Sequence, residues 1–319
     1  MTHAILHTDA PDEALALARA RLPEVTFSGC DSYQALPARI AETGAEVVYS
    51  VRFAGTPGFP RAALVESGRV RWVSVGGSGT DHLAPWDPSH VTVTNAAGVA
   101  ADMMAEYAIG ALLHFSLDLP GFRRAQQRRE WIAGKVRPIE GQRLLILGLG
   151  QTGQAIARRA KALGLHVTGM RARPRATGHV DAVIPPEALD AALPQADAVA
   201  VCLPLLDSTG NLLSAKRIAV LKPGAVLVDV SRGGVVDQTA LASALAQGHL
   251  RGAALDVFEQ EPLGPDSPFW AMEHVIVTPH CSSVYDGWML KSVAMFCDNL
   301  ARYLAGTPLT NIVDPTRGY

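Results

Sequence analysis

The sequence is poor in the residues that mark several protein classes. Its four cysteines, Cys30, Cys202, Cys281 and Cys297, form no CxxC pair. That spacing offers neither a disulfide framework nor a zinc site, so the thiols read as buried side chains of a reducing cytoplasm. Neither sign of charge dominates: 28 Lys and Arg face 30 Asp and Glu, a formal net charge of −2. A general nucleic-acid or membrane-surface binder is therefore not expected. No purely apolar run approaches the ~18 residues of a membrane span. The opening "MTHAILHTDAPDEA" lacks the basic and apolar parts of a secretory signal. One local absence bears on function: no Asp or Glu occurs from Gln154 to Val180.

What is present is apolar and alternating. Hydrophobic residues make up 48% of the 319 and charged residues 18%, enough for a sizeable core and for two domains of ordinary size. "AILHTD", "VTFSGC", "EVVYSV", "VRWVSVG" and "VTVTNA" read as strands. "DEALALARARL" and "SYQALPARIAETG" read as amphipathic helices between them, a pattern of α/β layers around a mainly parallel sheet. A long helix is expected from Ala100 to Leu117. The following "GFRRAQQRREWIAGKVRP" reads as a solvated basic face.

A second alternation begins at Gly141, with strands in "RLLILGLG", "HVTGM", "DAVAVCLP", "AVLVDVSRG", "RGAALDVF" and "HVIVTPH". It ends near Pro279, and "YDGWMLKSVAMFCDNLARYLAG" reads as one helix returning to the first domain. The expected fold is α/β: two Rossmann-like, doubly wound parallel-sheet domains with a cleft between them. A discontinuous substrate-binding domain, 1–98 plus 283–319, would enclose a dinucleotide-binding domain, 99–282.

"LLILGLGQTGQAIARRA" carries GxGxxG as Gly148, Gly150 and Gly153, directly after an apolar strand and opening a helix. In that setting the glycines give a tight turn, a close approach of backbone to pyrophosphate, and close helix–strand packing. The helix N-terminus then faces the phosphates, with Gln151 and Thr152 in its first turn. The acid that usually holds the ribose 2′-OH of NAD is missing after "HVTGM". Arg171, Arg173 and Arg175 follow instead. Arginine binds a 2′-phosphate through charge-assisted bonds, so NADP is preferred and NAD remains possible. The competing reading makes "RARPR" a surface loop and leaves Met170 alone to set the pocket.

Three late strands end in useful chemistry: Arg232 after "AVLVDVS", Glu261 after "GAALDVFEQ", and His280 closing "HVIVTPH". Reduction of a ketone needs a proton on oxygen, and a histidine titrates near neutrality. Glu261 would orient and charge the imidazole, and Arg232 would hold a 2-oxo acid. In the first domain, Gly76, Gly77 and Gly79 could form an anion-binding nest. Arg52 ends another strand and is a further substrate-binding candidate. No metal site is expected.

These stretches, with "LPLLDSTGNLL", "LKPGAVLVDVSRGGVVDQTAL", "VGGSGTDHL" and "NLARYLAGTPLTNIVD", resemble the D-isomer-specific 2-hydroxyacid dehydrogenase family over nearly the whole chain. The resemblance implies that Arg232, Glu261 and His280 are catalytic. It implies that Asp256 lies near the nicotinamide carboxamide, that Leu203, Pro204 and Thr209 line the cofactor, and that the Ser78 and Gly79 amides meet the substrate carboxylate. It also implies closure over the cleft and a homodimer with contacts around Ala100–Trp131. Among family activities the sequence is closest in type to glyoxylate/hydroxypyruvate reductases. Glu261 speaks against the formate-oxidising branch, which resembles a Gln–His pair. The end of the chain soon after the returning helix speaks against the phosphoglycerate branch. The sequence departs from the family's pattern at Gln151–Thr152, at Cys281-Ser282-Ser283, and in the missing acid. A non-catalytic, nucleotide-sensing corepressor on the same fold is the alternative from another class.

Overall fold

The computed structural model describes residues 2–53, 56–315 and 317. They divide into two compact units, Met1–Val99 with Asp286–Tyr319, and Ala100–Tyr285. The first unit opens with β1 (His3–His7), α1 (Pro11–Arg21), β2 (Thr26–Cys30), α2 (Leu36–Thr43), β3 (Val47–Ser50), α3 (Arg61–Val65), β4 (Trp72–Val75) and β5 (Thr92–Asn95). The strands pair in parallel in the order β2-β1-β3-β4-β5. Every residue of β3 and β4 is buried, as in parallel strands covered on both faces. α1 starts on Pro11, with Asp12 and Glu13 in its first turn and Arg19 and Arg21 in its last. The proline presets the helical φ and the charges oppose the helix dipole.

The second unit runs through α4 (Ala101–Ser116), α5 (Leu119–Arg128), β6 (Arg143–Leu147), α6 (Gln151–Ala162), β7 (His166–Met170) and β8 (Ala182–Ile184). It continues with α7 (Leu189–Ala192), β9 (Ala198–Val201), α8 (Ala215–Ala219), β10 (Val226–Asp229), α9 (Gln238–Ala246), β11 (Gly252–Leu255) and β12 (Val275–Val277). Seven parallel strands stand in the order β12-β11-β10-β9-β6-β7-β8. Alternate residues of β6 enter different cores. Leu145 and Leu147 join Val199, Leu227 and Leu241. Leu144 and Ile146 join Ala105, Leu112 and Ile156. The period of two along a strand thus builds one core on each face, which makes the sheet doubly wound.

The chain then returns as α10 (Trp288–Leu304), whose Val293, Phe296, Cys297 and Leu300 pack with Leu6, Tyr49 and Trp72 of the first unit. The helix begins three residues later than "YDGWML" suggests, because Gly287 at φ 83 stands ahead of it. β8 is the one strand the apolar runs do not announce. It has three residues, none fully buried. All four thiols are free, Cys30 and Cys297 buried, Cys202 and Cys281 half-buried. Among the described residues no helix is long and apolar enough to cross a membrane.

Candidate active site

In the second unit the strand order reverses between β6 and β9, and ligands of such sheets sit beyond the carboxyl ends at that point. The glycine turn follows β6 there. Gly148 has φ 101, and a Cβ on it would lie 2.8 Å from the Cys202 carbonyl oxygen. A Cβ on Gly153 would lie 1.9 Å from the Gly148 carbonyl oxygen, so no side chain fits where α6 crosses the turn. Gly150 differs: nothing lies within 4 Å of its Cβ position. It is the N-cap of α6 and offers no side-chain cap to the first amides, which suits an anionic ligand. Gln151 is exposed, and the Thr152 hydroxyl lies 3.6 Å from Met104 Sδ on α4.

β7 delivers the next residues. Met170 is 3% exposed and packs with Leu145, Leu147 and Leu189. Its side chain belongs to the core. Arg171 follows, its amide donating to the Ile184 carbonyl at 3.1 Å. Its Nη1 is buried without a hydrogen-bond partner. A guanidinium nitrogen left in that condition is costly unless an acceptor arrives. Arg173 and Arg175 are exposed. The bare amides at α6 and the open Gly150 fit a dinucleotide, and the orphaned arginine nitrogen lies past β7. Beyond β9, Leu203 and Pro204 are half-buried. The Thr209 hydroxyl donates to the Pro204 carbonyl at 2.6 Å and accepts from the Leu206 amide at 2.8 Å. Thr209 therefore closes its own loop.

The structure brings Glu261 and His280 together. Glu261 Oε2 lies 2.9 Å from His280 Nδ1, and its Oε1 accepts from the Phe258 amide at 3.0 Å. With Nδ1 directed at the carboxylate, Nε2 is the ring atom left for proton transfer. Both side chains are about one-third exposed (35% and 37%), so water screens their attraction and the pair serves orientation more than stability. Arg232 stands in the turn after β10, its Nη1 donating to the Ser231 carbonyl at 2.8 Å. The neighbouring Gly233 admits no side chain: a Cβ there would lie 1.9 Å from the Phe258 carbonyl oxygen. That close approach docks the arginine loop on the loop carrying Glu261. Gln238 ties the same loops, donating to the Val257 carbonyl and accepting from the Glu259 amide. Sequence reasoning did not mark Gln238, and nothing local to it signals the role.

Two buried acids lie beneath. Asp256 is 1% exposed. Its Oδ1 accepts from Thr278 Oγ1 (2.6 Å) and the Cys281 amide (2.9 Å), and its Oδ2 from the Ser282 amide (3.0 Å). The carboxylate is engaged on both sides of His280. Asp229 is fully buried, accepts from the Ser231 amide and hydroxyl through Oδ1, and has no partner at Oδ2. Burial pushes its carboxyl up to about 7, against the pull of the Ser231 hydrogen bonds.

In the first unit, Arg52 is exposed between buried Val51 and Phe53. The Val51 amide donates to the His7 carbonyl, and the Phe53 amide to Tyr33 Oη. Ser78 is exposed and its carbonyl accepts from Asn95 Nδ2 at 2.7 Å. Gly76 is required for space: a Cβ there would lie 2.3 Å from Val51 Cγ1.

Comparison with known proteins gives this geometry a family context. Residues 109–282 match the family described as D-isomer specific 2-hydroxyacid dehydrogenase, NAD binding domain. A glyoxylate reductase of Korarchaeum cryptofilum is 31% identical over 233 residues, 70% of this chain and 69% of that protein. The crystal structure of a D-isomer specific 2-hydroxyacid dehydrogenase from Xanthobacter autotrophicus, in complex with NADPH and MES, is 31% identical. It superposes with a TM-score of 0.87 over 100% of this chain and 99% of that one. An NADPH-dependent glyoxylate/hydroxypyruvate reductase from Sinorhizobium meliloti, in complex with NADP and sulfate, is 26% identical with a TM-score of 0.84, covering 100% of both chains.

Proposed function

Because the chain belongs to the D-isomer-specific 2-hydroxyacid dehydrogenase family, an oxidoreductase family with a nicotinamide-binding domain, we propose that it is an NADPH-preferring reductase. Its substrates would be small 2-oxo acids of the glyoxylate or hydroxypyruvate type. The products are D-2-hydroxy acids where a stereocentre forms. The observation that carries the chemistry is the His280 Nδ1–Glu261 Oε2 contact of 2.9 Å, set beyond the strand ends of a dinucleotide fold. The observation that carries the cofactor preference is Arg171 Nη1, buried without a partner where an acid would repel a 2′-phosphate. The NADPH and NADP complexes of the two structural relatives point the same way.

Gly148, Gly150 and Gly153 with the first turn of α6, Leu203, Pro204, Thr209, Asp256, Arg171 and Arg173 are the residues assigned to hold the cofactor. When bound, it supplies the hydride to the carbonyl carbon. His280 Nε2 gives its proton to the carbonyl oxygen as charge develops there. Glu261 holds the imidazole in the tautomer and orientation that allow this. Arg232 holds the substrate carboxylate and polarises the ketone with a fixed positive charge. Arg52, Ser78 and Gly79 stay assigned to substrate binding on the strength of the sequence. The test is direct. His280→Ala should abolish glyoxylate reduction, and Arg232→Ala should lower kcat/KM by about a hundredfold or more. Full activity in both variants would overturn the assignment.

We also infer a homodimer. Trp131 is 100% exposed and Ile132 and Val136 beside it are 43% and 47% exposed, an apolar stretch that a second copy would cover.

A further inference from the structure

His280 adopts φ 52, in the left-handed region that non-glycine residues rarely enter. Such a conformation persists only where the surroundings over-determine it. Here the surroundings are specific. On the N-terminal side, the Thr278 amide donates to the Leu255 carbonyl at 3.0 Å and the Thr278 hydroxyl donates to Asp256 Oδ1. On the C-terminal side, the Cys281 and Ser282 amides donate to the same carboxylate. The His280 amide itself closes a tight turn onto the Thr278 carbonyl at 3.0 Å. The histidine is therefore held at both shoulders by one buried acid.

The chain of bonds reaches further. Tyr107 Oη, on α4, lies 2.9 Å from Thr278 Oγ1. The Thr278 proton is committed to Asp256, so the tyrosine must donate and the threonine oxygen accept. Burial pushes the Tyr107 phenol up to about 12, which keeps that proton in place. The order of donation, Tyr107 to Thr278 to Asp256, is fixed from end to end.

We propose that Thr278 and Tyr107 are positioning residues for the reaction, holding the strained turn that aims His280. The proposal rests on His280 being the acid of the proposed reduction. Neither side chain reaches the reacting atoms, and both act through the backbone of residues 278–282. Rigid support of this kind matters because a small displacement of a catalytic group costs rate without weakening binding.

The experiment compares Thr278→Val, Thr278→Ser and Tyr107→Phe with the wild-type protein in glyoxylate reduction, alongside NADPH affinity by fluorescence titration. The expected result is a kcat about tenfold lower in Thr278→Val and about threefold lower in Tyr107→Phe. KM for glyoxylate and Kd for NADPH should stay within about twofold, and Thr278→Ser, which keeps the hydroxyl, should recover most of kcat. An unchanged kcat in Thr278→Val and Tyr107→Phe would overturn the proposal. So would a loss confined to KM or Kd, or a Thr278→Ser variant as slow as the valine. Should Thr278→Val fail to fold, Tyr107→Phe and Thr278→Ser decide. His280→Ala, measured in parallel, separates the two readings. If it keeps full turnover, the acid assignment falls and the positioning role with it. If it is inactive while Thr278→Val and Tyr107→Phe match wild type, only the positioning role falls.

Discussion

Arg171 lies one residue past the end of β7, and its neighbour Met170 is sealed in the core. The burial of Met170 decides which substitution tests cofactor choice. An acid at 170 would be buried without a partner and would damage the fold. An acid at 171 meets the orphaned position directly. Arg171→Asp should shift the NADPH-to-NADH ratio of kcat/KM by about tenfold or more toward NADH, read from paired steady-state assays. An unshifted ratio would mean that Arg171 does not meet the ribose. Asp229 makes stability depend on pH. Its folded-state carboxyl is raised to about 7, so between its unfolded value near 3.8 and about 7 the native chain binds more protons than the unfolded one. Its stabilising contribution is full below that window and is lost as pH rises through it. Asp229→Asn removes the titration, so the variant should gain stability over wild type at pH 8 compared with pH 5, measured by denaturant unfolding. A gap that does not change with pH would contradict this. His7, lowered by burial to about 4, tilts wild-type stability the other way at acid pH, which is why the comparison is made between variant and parent.

Among elements, the parallel strands were legible because burial on both faces turns them into apolar runs. "EVVYSV" and "RLLILGLG" coincide with β3 and β6. β8 was not legible, since one exposed and two half-buried residues give no run and no period. The glycine turn was legible as a motif, but the structure separates the duties of its glycines. Gly153→Ala and Gly233→Ala place a Cβ against backbone that cannot yield. Each should cost stability by at least about 1–3 kcal/mol, seen as a lower Tm. Gly150→Ala has free space around the added carbon and a φ of −74. It should leave Tm nearly unchanged while weakening NADPH binding. A lowered Tm in Gly150→Ala would place the demand for glycine in the fold and not in the ligand. The strand ends that carry Arg232, Glu261 and His280 could be read from the sequence, because each follows an apolar run. The bond from Tyr107 to Thr278 could not, since it joins residues 171 apart with no shared pattern. The three donors that Asp256 gathers also depend on how a loop folds back, which side-chain chemistry alone does not encode.

For the whole molecule, two α/β alternations are legible along the chain, and the structure builds from them parallel sheets of five and seven strands. The fully exposed Trp131 leads to an assembly prediction. Light scattering should give a mass about twice that of one chain, and Trp131→Glu should shift it toward the monomer, because a charge cannot be buried there cheaply. A monomer in the wild-type protein would contradict the inferred dimer. The proposed activity, NADPH-preferring reduction of small 2-oxo acids, is read from kcat/KM for glyoxylate with NADPH and with NADH. Turnover is expected, with a preference for NADPH of about tenfold or more. Equal values, a preference for NADH, or no turnover with either would contradict it.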